Sequence, residues 1–216
     1  WGMHSVTEKT PSEGYNLDKA EYRFKITANG EDPNAAGDTK SPEVVIRGGL
    51  SITKNDSDFK ENKPQGDAKD LSGAKFDVYN ISKQSIFFYN LDSNEYEEIG
   101  NSGDRTVTVD GKTSAYGNNN YVLTLTTDKD GNASTAANAL SYGTYLIVEK
   151  SSPDGYIVAN DENNSVTGTM AIVNVRKEGE IVHADMYDDV SRGQLIVGKV
   201  DQERMVNYPN GSAGYK

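Results

Sequence analysis

The sequence predicts an all-β fold, a sandwich of two antiparallel sheets, and it predicts that this unit recurs along the chain. Two local observations carry the first expectation. Apolar and polar residues alternate over short stretches, and turn residues interrupt them at short intervals with no long apolar stripe of period 3.6. The second expectation rests on two segments that each appear twice.

The elements follow in chain order. Leu50, Ile52 and Lys54 alternate with Ser51 and Thr53, the period of a strand with one buried face. Residues 55–70 are charged and include Pro64 and Gly66, so they read as an exposed loop. Residues 75–79, 105–109 and 121–127 alternate again, the last rich in β-branched residues. Asp128-Lys129-Asp130-Gly131-Asn132 supplies a turn. Its alternating oxygen ligands resemble a calcium loop, but the Gly position and the absence of a following bidentate Glu favour a plain hairpin turn. Residues 134–140, with three Ala and no Gly or Pro, are a candidate for one short helical turn. Residues 145–149, 169–173 and 180–187 complete the strands.

The repeat is legible in two anchors. Val6-Thr7-Glu8-Lys9 leading to Gly14-Tyr15 returns as Val148-Glu149-Lys150 leading to Gly155-Tyr156, with Glu8 and Glu149 separated by 141 positions. Gly49-Leu50-Ser51-Ile52-Thr53-Lys54 returns as Gln194-Leu195-Ile196-Val197-Gly198-Lys199, with the two lysines 145 apart. The parse is a tandem array. Residues 48–191 form one complete unit, 1–47 the C-terminal part of a preceding one, and 192–216 the first-strand region of a following one.

Composition excludes several classes of function. The chain has 216 residues and a net charge of −11, which argues against nucleic acid and against anionic membrane surfaces. No apolar run approaches the roughly 20 residues that span a bilayer, and no secretory leader opens the sequence, as expected of a mature or trimmed chain. The absence of Cys removes disulfides, thiolate catalysis and Cys-ligated zinc, and with His4 and His183 as the only histidines no metal site is expected. Hydrophobic residues make up 35 % of the chain, with 21 Gly and 13 Tyr, which suits thin β layers better than one thick helical core. No cofactor motif is present.

Three segments, in order, resemble one known family. They are Lys54 two positions before Asp56; the stretch Leu71-Ser72-Gly73-Ala74-Lys75-Phe76-Asp77-Val78-Tyr79; and Tyr142-Gly143-Thr144-Tyr145-Leu146-Ile147-Val148-Glu149 running into Pro153-Asp154-Gly155-Tyr156. Together they resemble the Cna protein B-type (CnaB), SpaA-like domains of Gram-positive surface adhesins and sortase-assembled pilins. The resemblance covers 48–191 fully and both flanks in part, and it implies an immunoglobulin-like or prealbumin-like sandwich.

The resemblance further implies a self-formed isopeptide bond, a single-turnover reaction in a protein that is otherwise no enzyme. By position, Lys54 is the nucleophile, Glu149 the proton shuttle and Asp185, in the expected last strand, the acceptor. Asn174 is the alternative acceptor if residues 169–173 are the last strand. Glu8 and Lys199 hold the shuttle and nucleophile positions of the flanking units, although residues 42–47 contain no Asn or Asp. Elementary chemistry supports such a site. Burial disfavours the charged forms of Lys and carboxyl groups alike, so a neutral amine can attack a neutral carboxyl. Lys54 shares a face with Leu50 and Ile52, and Glu149 with Tyr145 and Ile147, an unusual phase for charged residues unless they are paired. Two plainer readings of the lysine stay open: an unreacted Lys54–Asp185 ion pair, and a Lys54 that ends its strand in solvent.

The expected function is structural: a stalk or shaft domain of an extracellular, cell-wall-anchored adhesin or pilus, with other subunits or domains of the same fibre as partners. Two alternatives remain. One is a ligand-binding adhesin tip whose loops at 83–120 recognise a host glycan or matrix protein. The other is an accessory module of a secreted enzyme.

Overall fold

A computed structural model describes residues 1–30, 40–109, 111–158, 170–198 and 200. The N-terminal segment holds β1 (Gly2–Thr7), β2 (Tyr15–Asn16), β3 (Glu21–Ile26) and β4 (Val44–Val45). β1 pairs with β3 and β2 with β4, both antiparallel. Among the described residues of 1–47 only Gly14 is buried, so this segment has no core of its own.

From residue 47 on, the chain builds a sandwich. Its strands are β5 (Arg47–Asp56), β6 (Lys75–Asn80), β7 (Ile86–Asn90), β8 (Glu95–Ile99), β9 (Arg105–Val109), β10 (Lys112–Tyr116), β11 (Tyr121–Thr126), β12 (Asn132–Ser134), β13 (Leu140–Ser141), β14 (Gly143–Ser151), β15 (Tyr156–Ile157), β16 (Met170–Val175) and β17 (Ile181–Val190). One sheet runs β11-β6-β14-β16 and the other β12-β5-β17-β15, with β13 also on β5. Leu50 and Ile52 of β5, Phe76 and Val78 of β6, Tyr145 and Ile147 of β14 and Met186 of β17 meet between the sheets, all essentially inaccessible to water. Each stands two residues from the next in its strand, the spacing that puts side chains on one face of a pleat.

The structure departs from the expected architecture in three places. β5 and β17, the first and last strands of the sandwich, run parallel, with Met186 opposite Lys54 and Asp188 opposite Asp56. Parallel neighbours need a long crossover, and here the whole unit is that crossover. Residues 83–120 are more than loops. β7 pairs with β8, and β9 with β10. The β9–β10 hairpin lays Val107 and Tyr116 against Tyr79 and Leu146 on the outer face of the first sheet, making a second apolar cluster. This is why β6 is buried on both faces.

The candidate helical turn at 134–140 forms no helix: Ser134 ends β12, the Ala139 amide closes a turn on the Ala136 carbonyl at 3.2 Å, and Leu140 opens β13. The Leu50 amide donates to the Thr135 hydroxyl at 2.9 Å, and the Thr135 amide donates back to the Leu50 carbonyl at 2.9 Å. Pairing to β5 offered these backbone groups better partners than a single isolated helical turn.

Candidate functional site

Three strands converge on one buried cluster. On β5 the inward parity Leu50, Ile52 continues to Lys54; on β14 the parity Tyr145, Ile147 continues to Glu149; on β17 the parity Val182, Ala184, Met186 continues to Asp188. The cluster therefore stands at one edge of the core, where each apolar row ends in an ionisable residue. The pairing of β14 with β6 shifts register just past Glu149, between Glu149 and Ser151. Bulges of this kind re-aim side chains beside functional groups.

The geometry is tight and dry. Lys54 Nζ donates to Glu149 Oε2 at 2.7 Å and lies 2.7 Å from Asp188 Oδ1, and all three side chains are 0 % exposed. The Phe76 ring centre is 5.6 Å from Nζ. The contact with Asp188 is close but lacks hydrogen-bond alignment. Glu149 Oε1 and both Asp188 oxygens have no hydrogen-bond partner. A buried carboxylate without donors is expensive, and one ammonium faces two such groups. Burial, reinforced by the Asp188 carboxyl and opposed by the Lys54 ammonium, pushes the Glu149 pKa from 4.5 up to about 8. An amine in contact with two water-free carboxyl groups, one of them ready to hold a proton at neutral pH, is equipped for amide formation.

Asp56, the next inward residue of β5, shows the contrast. Burial pushes its pKa up, but the Phe59 amide, the Tyr156 hydroxyl, the Gln65 side chain and the Asp58 amide outweigh that and hold it below the usual range. The Tyr156 hydroxyl donates to Asp56 at 2.8 Å and the amides of Asp58 and Phe59 at 2.8 and 2.9 Å. Asp56 is thus a satisfied carboxylate that clasps the loop after β5, and Asp188 is an unsatisfied one.

Of the residues singled out in the sequence, Lys54 and Glu149 meet. Asp185, the acceptor expected from the sequence, does not join them. It lies on the outer face of β17, about half exposed, where Asn55 Nδ2 donates to it at 3.0 Å and His183 Nε2 lies 3.3 Å away. The pleat decides the matter, since odd-numbered residues of β17 point out and even-numbered ones in. The signal was present in the sequence as the Val182, Ala184, Met186 row, which is in phase with Asp188. Asn174 is exposed on β16 in the opposite sheet, accepting from the Thr144 hydroxyl at 2.9 Å and the Arg176 guanidinium at 2.8 Å. Glu8 follows β1 and accepts from the Asp18 amide at 2.6 Å. Lys199 lies outside the described residues. Asp128 accepts from the amides of Asp130 and Asn132 at 2.9 and 3.0 Å, which makes it the brace of a hairpin turn.

A family model places the fold. The chain belongs to the SpaA prealbumin-like fold domain family, whose model matches residues 49–180, more than half of its length. Among solved structures it is similar to the Bacillus anthracis TIE protein, with 19 % identity and a TM-score of 0.52 over 88 % of this chain and 25 % of that one. It is also similar to the pilus 2b backbone protein of group B streptococcus (19 % identity, TM-score 0.40, 79 % of this chain and 48 % of that one). A further similar structure is the shaft pilin SpaA from Lactobacillus rhamnosus GG (18 % identity, TM-score 0.40, 90 % and 64 %). The chain spans a quarter of the length of the first of these and about half of the second. At such identities the likeness is one of fold. No curated protein sequence matches the chain.

Proposed function

We propose that this chain is a structural segment of a bacterial cell-surface fibre, the shaft of a pilus or the stalk of an adhesin, and that its sandwich locks itself with an amide between Lys54 and Asp188. The observation that carries the reading is the water-free contact of Lys54 Nζ with both Glu149 and Asp188 at 2.7 Å. The family and the pilin structures similar in fold support the setting.

The reaction balances within the cluster. A proton passes from the Lys54 ammonium to a carboxylate, leaving a neutral amine. The Nζ lone pair attacks Asp188 Cγ while protonated Glu149 donates to the carboxyl oxygen and stabilises the tetrahedral intermediate. Glu149 then takes the proton from Nζ and returns it to the departing hydroxyl, so that one C–N bond forms, one C–O bond breaks and one water leaves. Lys54 and Asp188 stand 134 positions apart in the chain. By chain-entropy reasoning a crosslink of that span stabilises the fold by about 5 kcal/mol.

Intact-mass measurement tests the assignment. The protein is expected one water lighter than its sequence, and Lys54→Ala, Glu149→Ala and Asp188→Ala are each expected at full sequence mass. Asp185→Ala is expected to keep the loss of water. A loss that vanishes in Asp185→Ala and persists in Asp188→Ala returns the acceptor to Asp185.

A further inference from the structure

The N-terminal segment repeats the pairing of the closing half of the sandwich. β1 pairs with β3 as β14 pairs with β16, and β2 with β4 as β15 with β17. Tyr15 stands opposite Val45, and Tyr156 opposite Val190. The Tyr15 amide donates to Ser12 at 3.1 Å and the Tyr156 amide to Pro153 at 3.2 Å. The Ile46 amide donates to Gly14, and the Ser191 amide to Gly155, both at 2.8 Å. Gly14 and Gly155 share a left-handed backbone, φ +87° and +83°. The turn and its β4 or β17 partner carry the offsets of the sequence repeat, 141 and 145, and β3 corresponds to β16 at an offset of 149.

In the first copy the surface beyond this turn is occupied by the sandwich that follows it. Gly14 lies so near the Tyr142 ring that a Cβ would stand 2.9 Å from a ring carbon. The Tyr142 hydroxyl donates to Glu13 at 2.8 Å, and the Arg176 guanidinium lies 4.7 Å from the centre of the Tyr142 ring. Glu178 accepts from the Asn16 side chain and the Arg47 amide, both at 2.9 Å. The joint thus combines a glycine turn, an aromatic ring laid on it and a carboxylate that holds the ring's hydroxyl.

In the second copy the same positions are open. Asp154, Gly155, Val190 and Ser191, the counterparts of Glu13, Gly14, Val45 and Ile46, line a groove of about 520 Å³ with residues 65–72 as its far wall. A Cβ on Gly155 would meet only Ala68, at 3.5 Å. Asp154 is exposed, and Asp67 and Asp70 stand on the same groove, with Lys69 as the one basic residue among three acidic ones. The chain leaves this end through Ser191 and resumes the first-strand pattern with Leu195, Ile196 and Val197, which are 80–86 % exposed.

We infer that this groove is the seat of the next sandwich of the same chain, the one opened by Gln194, which lays an aromatic ring on Gly155 and hydrogen-bonds it to Asp154. The acidic groove suits a cation beside that ring, as Arg176 stands beside Tyr142. The inference rests on the stalk reading above. Its consequence is mechanical: successive units meet at a fixed angle.

Spin-label distance measurement tests it in the natural chain carried through the unit that opens at Gln194, with one label on each sandwich. A single narrow distance distribution is expected, broadened several-fold by Asp154→Lys, a substitution at an exposed position that leaves the melting of the sandwich unchanged. In residues 1–216, Glu13→Lys is expected to broaden the distance between the N-terminal segment and the sandwich in the same way. A broad distribution in the unaltered chain with both units folded, or a narrow one that Asp154→Lys leaves intact, overturns the seat and leaves the stalk reading standing. If the residues from 194 on form no cooperatively melting unit, both readings fall.

Discussion

Glu149 holds a proton at neutral pH because water cannot reach it and Asp188 adds to its cost of ionisation. The reactive state of the cluster, a neutral amine with two neutral carboxyls, contains two protons shared among three groups. Its isomers, in which one proton sits on Lys54 and a carboxylate is charged, contain the same two. Above about pH 8 the proton on Glu149 is lost, and with it the acid that assists the attack. The rate of water loss during refolding, followed by mass, is therefore expected to hold below about pH 8 and to fall above it. The sign of the stability change agrees. With a folded pKa raised from 4.5 to about 8, the contribution of Glu149 to the unlinked fold is complete below about pH 4.5 and is lost as pH rises through about 8. At this scale the sequence made Lys54 and Glu149 legible, since each continues an apolar row. It did not make the acceptor equally plain, because Asp185 and Asp188 are both acidic residues on one strand and only phase separates them.

β17 settles that phase by pairing with β5. A parallel partner with Gly49 opposite Ile181 sends Val182, Ala184, Met186 and Asp188 inward together, and a slip of one residue would expose all four. Close approach at the start of β5 holds the register. A Cβ on Gly49 would stand 2.7 Å from the Ala136 carbonyl oxygen and 3.1 Å from Ala137 Cα, both backbone atoms that cannot swing aside. Gly49→Ala is expected to destabilise the sandwich by roughly 1–3 kcal/mol through overpacking, measured as a lowered midpoint of denaturant unfolding. The strands at 105–109 and 121–126 were readable from alternation alone. β7, β8 and β12 were not, because short strands at a sheet margin owe their form to a partner more than to their own residues. The stretch 134–140 shows the same rule from the other side, as its Ala-rich composition yielded to hydrogen bonds with β5.

Along the whole molecule, tension enters the sandwich at the start of β5 and leaves at the end of β17. Because these strands are parallel neighbours, the two ends of the pair are opposite ones, and pulling loads their ladder in shear. The proposed Lys54–Asp188 amide would carry that load covalently from β5 to β17 and leave residues 55–187 outside the path. In single-molecule stretching, the linked protein is expected to show no release of this segment. Glu149→Gln is expected to release the 133 residues between Lys54 and Asp188 in one step of roughly 450 Å, at about 3.4 Å per residue. A step of that length in the unaltered protein would show that no bond forms.

The sequence by itself determined the all-β class, the repeat offsets of 141 and 145, and the two rows that end in Lys54 and Glu149. Each of these is written in spacing along one strand or between two copies of one segment. Only the tertiary structure decided that the first and last strands are parallel, that Asp188 closes the cluster, and that Tyr142 covers Gly14 while the groove beside Gly155 is open. Those facts depend on which strands lie side by side and in what register. Strand pairing brings together residues more than a hundred positions apart, and no periodicity within a strand encodes its neighbour.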